Sequence, residues 1–292
     1  MALRLADALA GQGRRAIIIN ADSMQVYRDI PVVSAAPDAQ EAARHPHSLY
    51  GAWDGAAACS AADWAGRAKE EIARAHAQGA VPILVGGTGM YIRVLLEGIA
   101  PIPAIDPEIR EQVRALAVSE AYTALQGEDP ERASQLDAGD SQRIARALEV
   151  VRSTGQPLAH WQSRLEGGIG ADIDLHPLVM LPDRVWLRER CDRRFVHMLD
   201  GGAIDEVERL LARNLDPDLP VMRAIGVPEI AGLVRSEWTR AEATERGQAA
   251  TRQYAKRQYT WFRRQPPENW QRAIENLSDP HPYFVSLLQE MH

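Results

Sequence analysis

The stretch Ile17-Ile18-Ile19-Asn20-Ala21-Asp22-Ser23-Met24-Gln25-Val26-Tyr27 runs from three isoleucines into a lone carboxylate, then a hydroxyl, a thioether, an amide and a phenol. Consecutive apolar residues with no polar alternation read as a strand buried on both faces, the setting of a parallel sheet covered by helices. Such sheets place their ligands beyond the carboxyl ends of the strands. The spacing therefore predicts a strand over 16–21 with Asp22 at its ligand-facing end. The competing structural reading is that Asp22 caps the turn that follows.

Working outward, residues 2–10 carry a short helical pattern ending at Gly11, and 31–60 reads as loop. Residues 61–78 form an amphipathic pattern stopped by Gly79, and "VPILVGGTGMY" (81–91) reads as a second buried strand, a glycine turn and the start of a helix. This alternation predicts a doubly wound α/β domain. From about 104 to 165 the strand signal gives way to helices, which reads as a helical insertion. "HPLVMLP" (176–182) resumes as a third strand, and the remainder is helical.

The chain has 292 residues, 46% hydrophobic and 25% charged, as in a globular protein of one large or two ordinary domains. No apolar run approaches the roughly 20 residues of a membrane span, and the opening residues do not resemble a signal peptide. A cytoplasmic protein with no membrane partner is expected. The two cysteines, Cys59 and Cys191, lack metal-site or disulfide spacing. His45 and His47 lack a third ligand at sensible spacing, so no protein-built metal site is expected. Net charge is −7, yet residues 246–264 hold six cations and no acid. An acidic protein can still carry one basic face.

Five motifs occur in order: "INADSMQVYRDI", "PILVGGTGMYIRVLLEGIAPIP", "DSQRIARALEVVRSTGQPL", "MRAIG" and "ATRQYAKRQYTWFRR". Together they resemble the tRNA dimethylallyltransferase family, over about residues 2 to 265. The resemblance implies a P-loop NTPase-like α/β core over 1–103 and 170–265, a tRNA-contacting helical insertion over 104–169, and a C-terminal tail over 266–292. It implies transfer of a dimethylallyl group from dimethylallyl diphosphate to the N6 amine of the adenosine 3′ of the anticodon. The expected partners are the tRNA anticodon stem-loop and the diphosphate, with Mg²⁺ as cofactor and the protein a monomer. Asp22 is implied as general base, with Ser23, Met24 and Gln25 forming the adjoining tRNA contact. Thr88 is implied as a catalytic and tRNA-contacting hydroxyl, in a glycine turn expected to approach ligand closely and adopt positive φ. Arg223 is the remaining cation for the departing diphosphate. Arg110 and the run Gln142, Arg143, Ile144, Ala145 and Arg146 are implied tRNA contacts, each otherwise a solvated helix face. The cations of Arg252–Arg264 are expected to meet phosphates. Tyr254, Tyr259, Trp261, Phe262, Trp53, Trp64, Trp161 and Trp186 are expected in the core.

The same resemblance implies a strand and a GxxxxGK[ST] phosphate loop ahead of the first helix, and no such motif occurs in the sequence. The chain reads as starting too late, with the first strand missing from its sheet, little transferase activity and poor solubility. The alternative is a non-catalytic tRNA-binding remnant. A small-molecule prenyltransferase or kinase is disfavoured, because a mononucleotide needs neither the insertion nor the arginine-bearing helix.

Overall fold

A computed structural model describes residues 1–274 and 279–289. Its first helix, α1 (Ala2–Gly11), turns Leu5, Ala6 and Leu9 inward against the isoleucine strand β1 (Arg15–Asn20). Ile17, Ile18 and Ile19 are 5, 2 and 0% exposed, and each such burial stabilises by about 2 kcal/mol. The stretch expected as loop over 31–60 instead contains α2 (Ala39–Arg44), started by a reciprocal Asp38–Glu41 capping box, and β2 (His47–Ser48). Helix α3 (Ala61–Ala77) begins on a Ser60–Asp63 capping box. It drives Trp64 into the core, where the indole Nε1 donates to the Asn20 carbonyl at 2.8 Å. Strand β3 (Ala80–Val85) runs parallel to β1, with Ile18 opposite Ile83 and Asn20 opposite Val85. β2 lies parallel on the other side of β1. The isoleucine strand is thus central, as its unbroken apolar run requires. Helix α4 (Gly89–Glu97) leaves the turn after β3.

The chain divides into two units, Met1–Leu95 with Ile173–His292, and Leu96–Asp172. The second unit opens at β4 (Gly98–Ile99), antiparallel to β5 (Glu166–Gly167). Gly98 has φ 95°, and a Cβ there would overlap the Glu166 carbonyl, so this closure demands glycine. Between the two strands lie α5 (Pro107–Ala115), α6 (Val118–Glu128), α7 (Pro130–Ser134), α8 (Ser141–Thr154) and α9 (Leu158–Gln162). Val113, Leu125, Ala133, Ile144 and Leu148 form the core shared by α5, α6, α7 and α8, and Leu158 of α9 packs with Ile105 and Val150. Asp140 caps α8 at its start and Gly155, at φ 67°, ends it.

The first unit resumes with β6 (Leu178–Met180), α10 (Arg184–Asp200), α11 (Ala203–Ala212), a 3₁₀ turn at Pro220–Arg223, α12 (Val227–Val234) and α13 (Arg240–Arg264). Within the stretch expected as a tail, described residues build into the fold. Strand β7 (Gln271–Ala273) pairs parallel with β6. Beyond it, α14 (Val285–Gln289) brings Leu288, with neighbouring Phe284, into the cluster of Leu5, Leu9, Ile18 and Ile83. Among the described residues, the order β2–β1–β3 and the pair β6–β7 are separate parallel sheets. Trp186, expected in the core, is 43% exposed under the Arg190 guanidinium, whose carbon is 5.3 Å from the ring centroid.

Candidate active site and basic helical face

Because Asn20 and Val85 are register partners, the loops leaving β1 and β3 emerge side by side. The buried Asn20 amide shapes the first of them. Its Oδ1 accepts from the Asp22 amide at 2.9 Å, while Nδ2 donates to the carbonyls of Asp22 at 3.0 Å and Leu49 at 3.2 Å. Asp22 Oδ1 then accepts from the amides of Met24 at 2.8 Å and Gln25 at 3.4 Å. The carboxylate does cap the turn, but through one oxygen. No described residue donates to Oδ2.

The second loop closes on the first. Thr88 Oγ1 accepts from the Ser23 amide at 2.9 Å and donates to Ser23 Oγ at 3.2 Å, and the Thr88 amide donates to the Ala21 carbonyl at 3.3 Å. Gly86, Gly87 and Gly89 do not adopt the positive φ expected of them; close approach is what excludes a side chain. A Cβ on Gly86 would strike the Ala21 carbonyl, one on Gly87 the Gln258 amide, and one on Gly89 the Trp261 ring. The neighbour of this turn is therefore α13. Gln258 Nε2 donates to the Gly87 carbonyl at 2.9 Å, and Tyr254, one helical turn earlier, lies against the Thr88 hydroxyl.

Three phenols feel the charge of the Asp22 carboxylate. Burial first, and the Asp22 charge second, push Tyr50 up to about 12. Burial likewise raises Tyr91, which donates to the Cys59 carbonyl at 3.3 Å and stacks on Trp64 with ring centroids 4.6 Å apart. Tyr254 is raised by burial and then by Asp22. All three stay protonated and neutral near pH 7.

Other expected site residues lie elsewhere or serve the scaffold. Gln25 Nε2 donates to the carbonyls of Ser34 at 3.1 Å and Ala35 at 2.9 Å. It holds the 31–36 loop, which buried Glu206 grips from the other side by accepting from the amides of Val32 and Val33. Arg223 is exposed and ion-paired with Asp218; no described contact joins it to Asp22 or Thr88. Arg252 is tied to Asp192 at 2.6 Å, leaving Lys256, Arg257, Arg263 and Arg264 as the exposed cations of the Arg252–Arg264 stretch of α13. An open cavity of about 560 Å³ follows this helix, lined by Gln253, Lys256, Arg257, Thr260, Trp261 and Arg264.

In the second unit, Arg110, Gln142 and Arg143 are exposed, and Ala145 and Arg146 half-buried. Ile144 is fully buried, so its side chain lies beneath that face rather than on it.

The Mg²⁺ that the resemblance implies finds no donor set in these residues. No group of three or more His, Cys, Asp or Glu among the described residues could hold a metal ion, and the Ser23 and Thr88 hydroxyls are bonded to each other. The residues present do not by themselves fit the ion, and no step is derived through it. His45 is instead paired with Asp7 at 2.7 Å, and the His47 ring contacts the His45 carbonyl at 2.8 Å.

Residues 25–265 match the family model described as IPP transferase. The chain belongs to this family. It is 62% identical over 272 residues to the tRNA dimethylallyltransferase of Erythrobacter litoralis, covering 93% of this chain and 86% of that protein. It is 59% identical to that of Novosphingobium aromaticivorans, covering 95% and 99%. Among solved structures, the full-length tRNA isopentenylpyrophosphate transferase of Bacillus halodurans aligns with a TM-score of 0.67 at 27% identity, covering 98% of this chain and 92% of that one. A eukaryotic dimethylallyltransferase captured acting on tRNA aligns with a TM-score of 0.72 at 25% identity, covering 88% and 66%. Family membership and these alignments establish a transferase of the P-loop NTPase-like α/β class. Among the described residues, no helix is long and apolar enough to cross a membrane.

Sequence reasoning missed Asn20, Tyr50, Tyr91, Tyr254 and Gln258 as neighbours of the Asp22 and Thr88 turns. Asn20 alone carried a signal, as the one amide closing a buried apolar run. The others reach the site from distant segments.

Proposed function

We propose that the chain transfers a dimethylallyl group from dimethylallyl diphosphate to the exocyclic N6 amine of the adenosine 3′ of a tRNA anticodon, releasing diphosphate. The observation that carries this reading is the divided labour of Asp22. One oxygen is fixed by two backbone amides, which aims the other out of the turn at the sheet's carboxyl end.

The adenine amine is a weak nucleophile because its lone pair is delocalised into the ring. As the new N6–C1 bond forms, the C1–O bond to diphosphate breaks and N6 becomes acidic. A carboxylate held at hydrogen-bonding distance takes that proton, and Asp22 Oδ2 is the acceptor. The phenols of Tyr50, Tyr91 and Tyr254, which feel the Asp22 charge, add none of their own. An amine stacked inside an anticodon loop cannot reach such a group, so the nucleotide must be extruded, at about a few kcal/mol. Cationic faces offset that cost by gripping the RNA backbone. Exposed Lys256, Arg257, Arg263 and Arg264 on α13, and Arg110, Gln142, Arg143 and Arg146 on the helical unit, are the groups assigned to that grip. Arg223 is assigned to the leaving diphosphate once freed from Asp218.

The deciding experiment incubates the 292-residue chain with an anticodon stem-loop RNA and labelled dimethylallyl diphosphate, and measures label entering RNA alongside RNA affinity. Asp22→Asn keeps the size and one acceptor oxygen for the turn but removes the base. Transfer should fall by about 10² or more with affinity nearly unchanged. Equal transfer by Asp22→Asn would remove the general-base role; RNA binding without any transfer by the parent chain would remove the transferase reading for this chain.

A further inference from the structure

Helices α5 and α8 of the second unit pack on each other. Arg110 and Arg114 stand four apart on α5, as Gln142 and Arg146 do on α8, so each pair shares a helical face. Beneath them lies an acid that the reading above leaves unused. The Glu149 side chain is only 4% exposed. A buried carboxylate is tolerated only when paired, and Glu149 has two cationic partners. Arg114 Nε donates to Oε1 at 3.0 Å, and Arg146 approaches Oε2 at 3.8 Å.

The geometry of the Arg114 contact matters. Its guanidinium gives Nε to the acid while its side chain remains 67% exposed. The terminal NH₂ groups therefore stay available toward solvent, in the planar fork that matches a phosphate. Arg152 on α8 shows the opposite arrangement. Both its Nε and its Nη2 are spent on Glu128, its side chain is 27% exposed, and it has no outward fork to offer. Glu149 thus holds one guanidinium by its inner edge, whereas Glu128 consumes the other.

We propose that Arg114 is a further phosphate-contacting residue of the RNA-binding face, and that Glu149 is the positioning residue that aims it outward. The inference rests on the tRNA-binding reading above. Arg114 extends the α5 row from Arg110 towards Arg146, so the face presents two adjoining helical rows rather than isolated cations.

The test measures affinity of the full chain for a fluorescently labelled anticodon stem-loop RNA from about 50 to about 200 mM salt. Arg114→Ala should weaken binding about three- to tenfold and lower the slope of log K against log salt by about one. Arg152→Ala should change neither. Glu149→Gln should weaken binding, and the double variant Arg114→Ala/Glu149→Gln should bind no worse than Arg114→Ala alone, as expected if the acid acts through Arg114. The double variant also removes the buried acid that Arg114→Ala strands, and thermal melts show which variants fold. A purely structural pair would shift the melt and leave the salt slope where it was; that result, or full additivity in the double variant, overturns the proposal. If Arg143→Ala weakens binding and Arg114→Ala does not, this inference alone fails. If the parent chain binds the stem-loop no better than an unrelated RNA, the functional reading fails with it.

Discussion

At the residue scale, Asp22 stood out because chemistry and chain position coincide in it, a polar group at the end of a buried apolar run, whereas Thr88 stood out only through the family resemblance. Glu206 did not stand out. It is buried within an otherwise amphipathic helix, and its partners Val32 and Val33 lie 174 and 173 residues away. Its role exists only once the chain folds. Burial raises its carboxyl, and the amides of Val33 and Val32 pull partly the other way. The sign of the pH effect follows. Between the ordinary value of 4.5 and the raised native value, the folded chain keeps a proton that the unfolded chain has released. Its stabilising contribution is therefore complete below the ordinary value and is lost as pH rises through the native one. Glu206→Gln cannot titrate. In urea unfolding, the advantage of the parent chain over Glu206→Gln should be largest near the acid end of the folded range and shrink with rising pH. A difference that grows with pH would mean that the charged form is the one preferred in the fold.

At the scale of elements, strands β1 and β3 and the helical unit were readable from periodicity, while the purpose of the glycine turn was not. Gly86-Gly87-Thr88-Gly89 looked like a loop shaped for a ligand. Its close neighbours prove to be the Ala21 carbonyl and the side chains of α13, a helix that begins about 150 residues later in the sequence. A sequence shows that glycine is present but not which atom needs the space. The packing gives an asymmetric expectation. Gly89→Ala pushes a methyl into the Trp261 ring and should destabilise by about 1–3 kcal/mol, moving α13 off the turn that carries Thr88. Gly127→Ala, near the end of α6 with nothing within 4 Å of the new Cβ, should stabilise by about 0.5–1 kcal/mol. Chemical denaturation of the two variants compares them directly, and a tolerated Gly89→Ala would show that the seat of α13 is looser than drawn.

At the scale of the whole molecule, charge and core follow different maps. A net charge of −7 coexists with exposed arginines gathered on α13 and α8, so salt dependence should report local faces rather than the average. The core, in turn, extends past the last recognisable motif. Residues 271–273, "QRA", carry no apolar run, and their strand identity depends on pairing with Leu178–Met180. Phe284 and Leu288 are 7 and 6% exposed against the first helix and strands β1 and β3. Gln12 Nε2 and Arg14 Nη1 donate to the Leu288 and Leu287 carbonyls at 3.0 and 2.6 Å. These contacts join the end of the chain to its beginning. A chain ending at Gln265 keeps all five motifs but loses β7 and both apolar side chains. Their burial alone is worth about 4–6 kcal/mol, a large share of the 5–15 kcal/mol that typically holds a domain together. The truncated chain should melt well below the parent or fail to fold cooperatively. Phe284→Ala/Leu288→Ala, which leaves the backbone pairing intact, should reproduce most of that loss in urea. An unchanged midpoint in the double variant would place the contribution of this segment in its strand and carbonyl contacts instead of its apolar side chains.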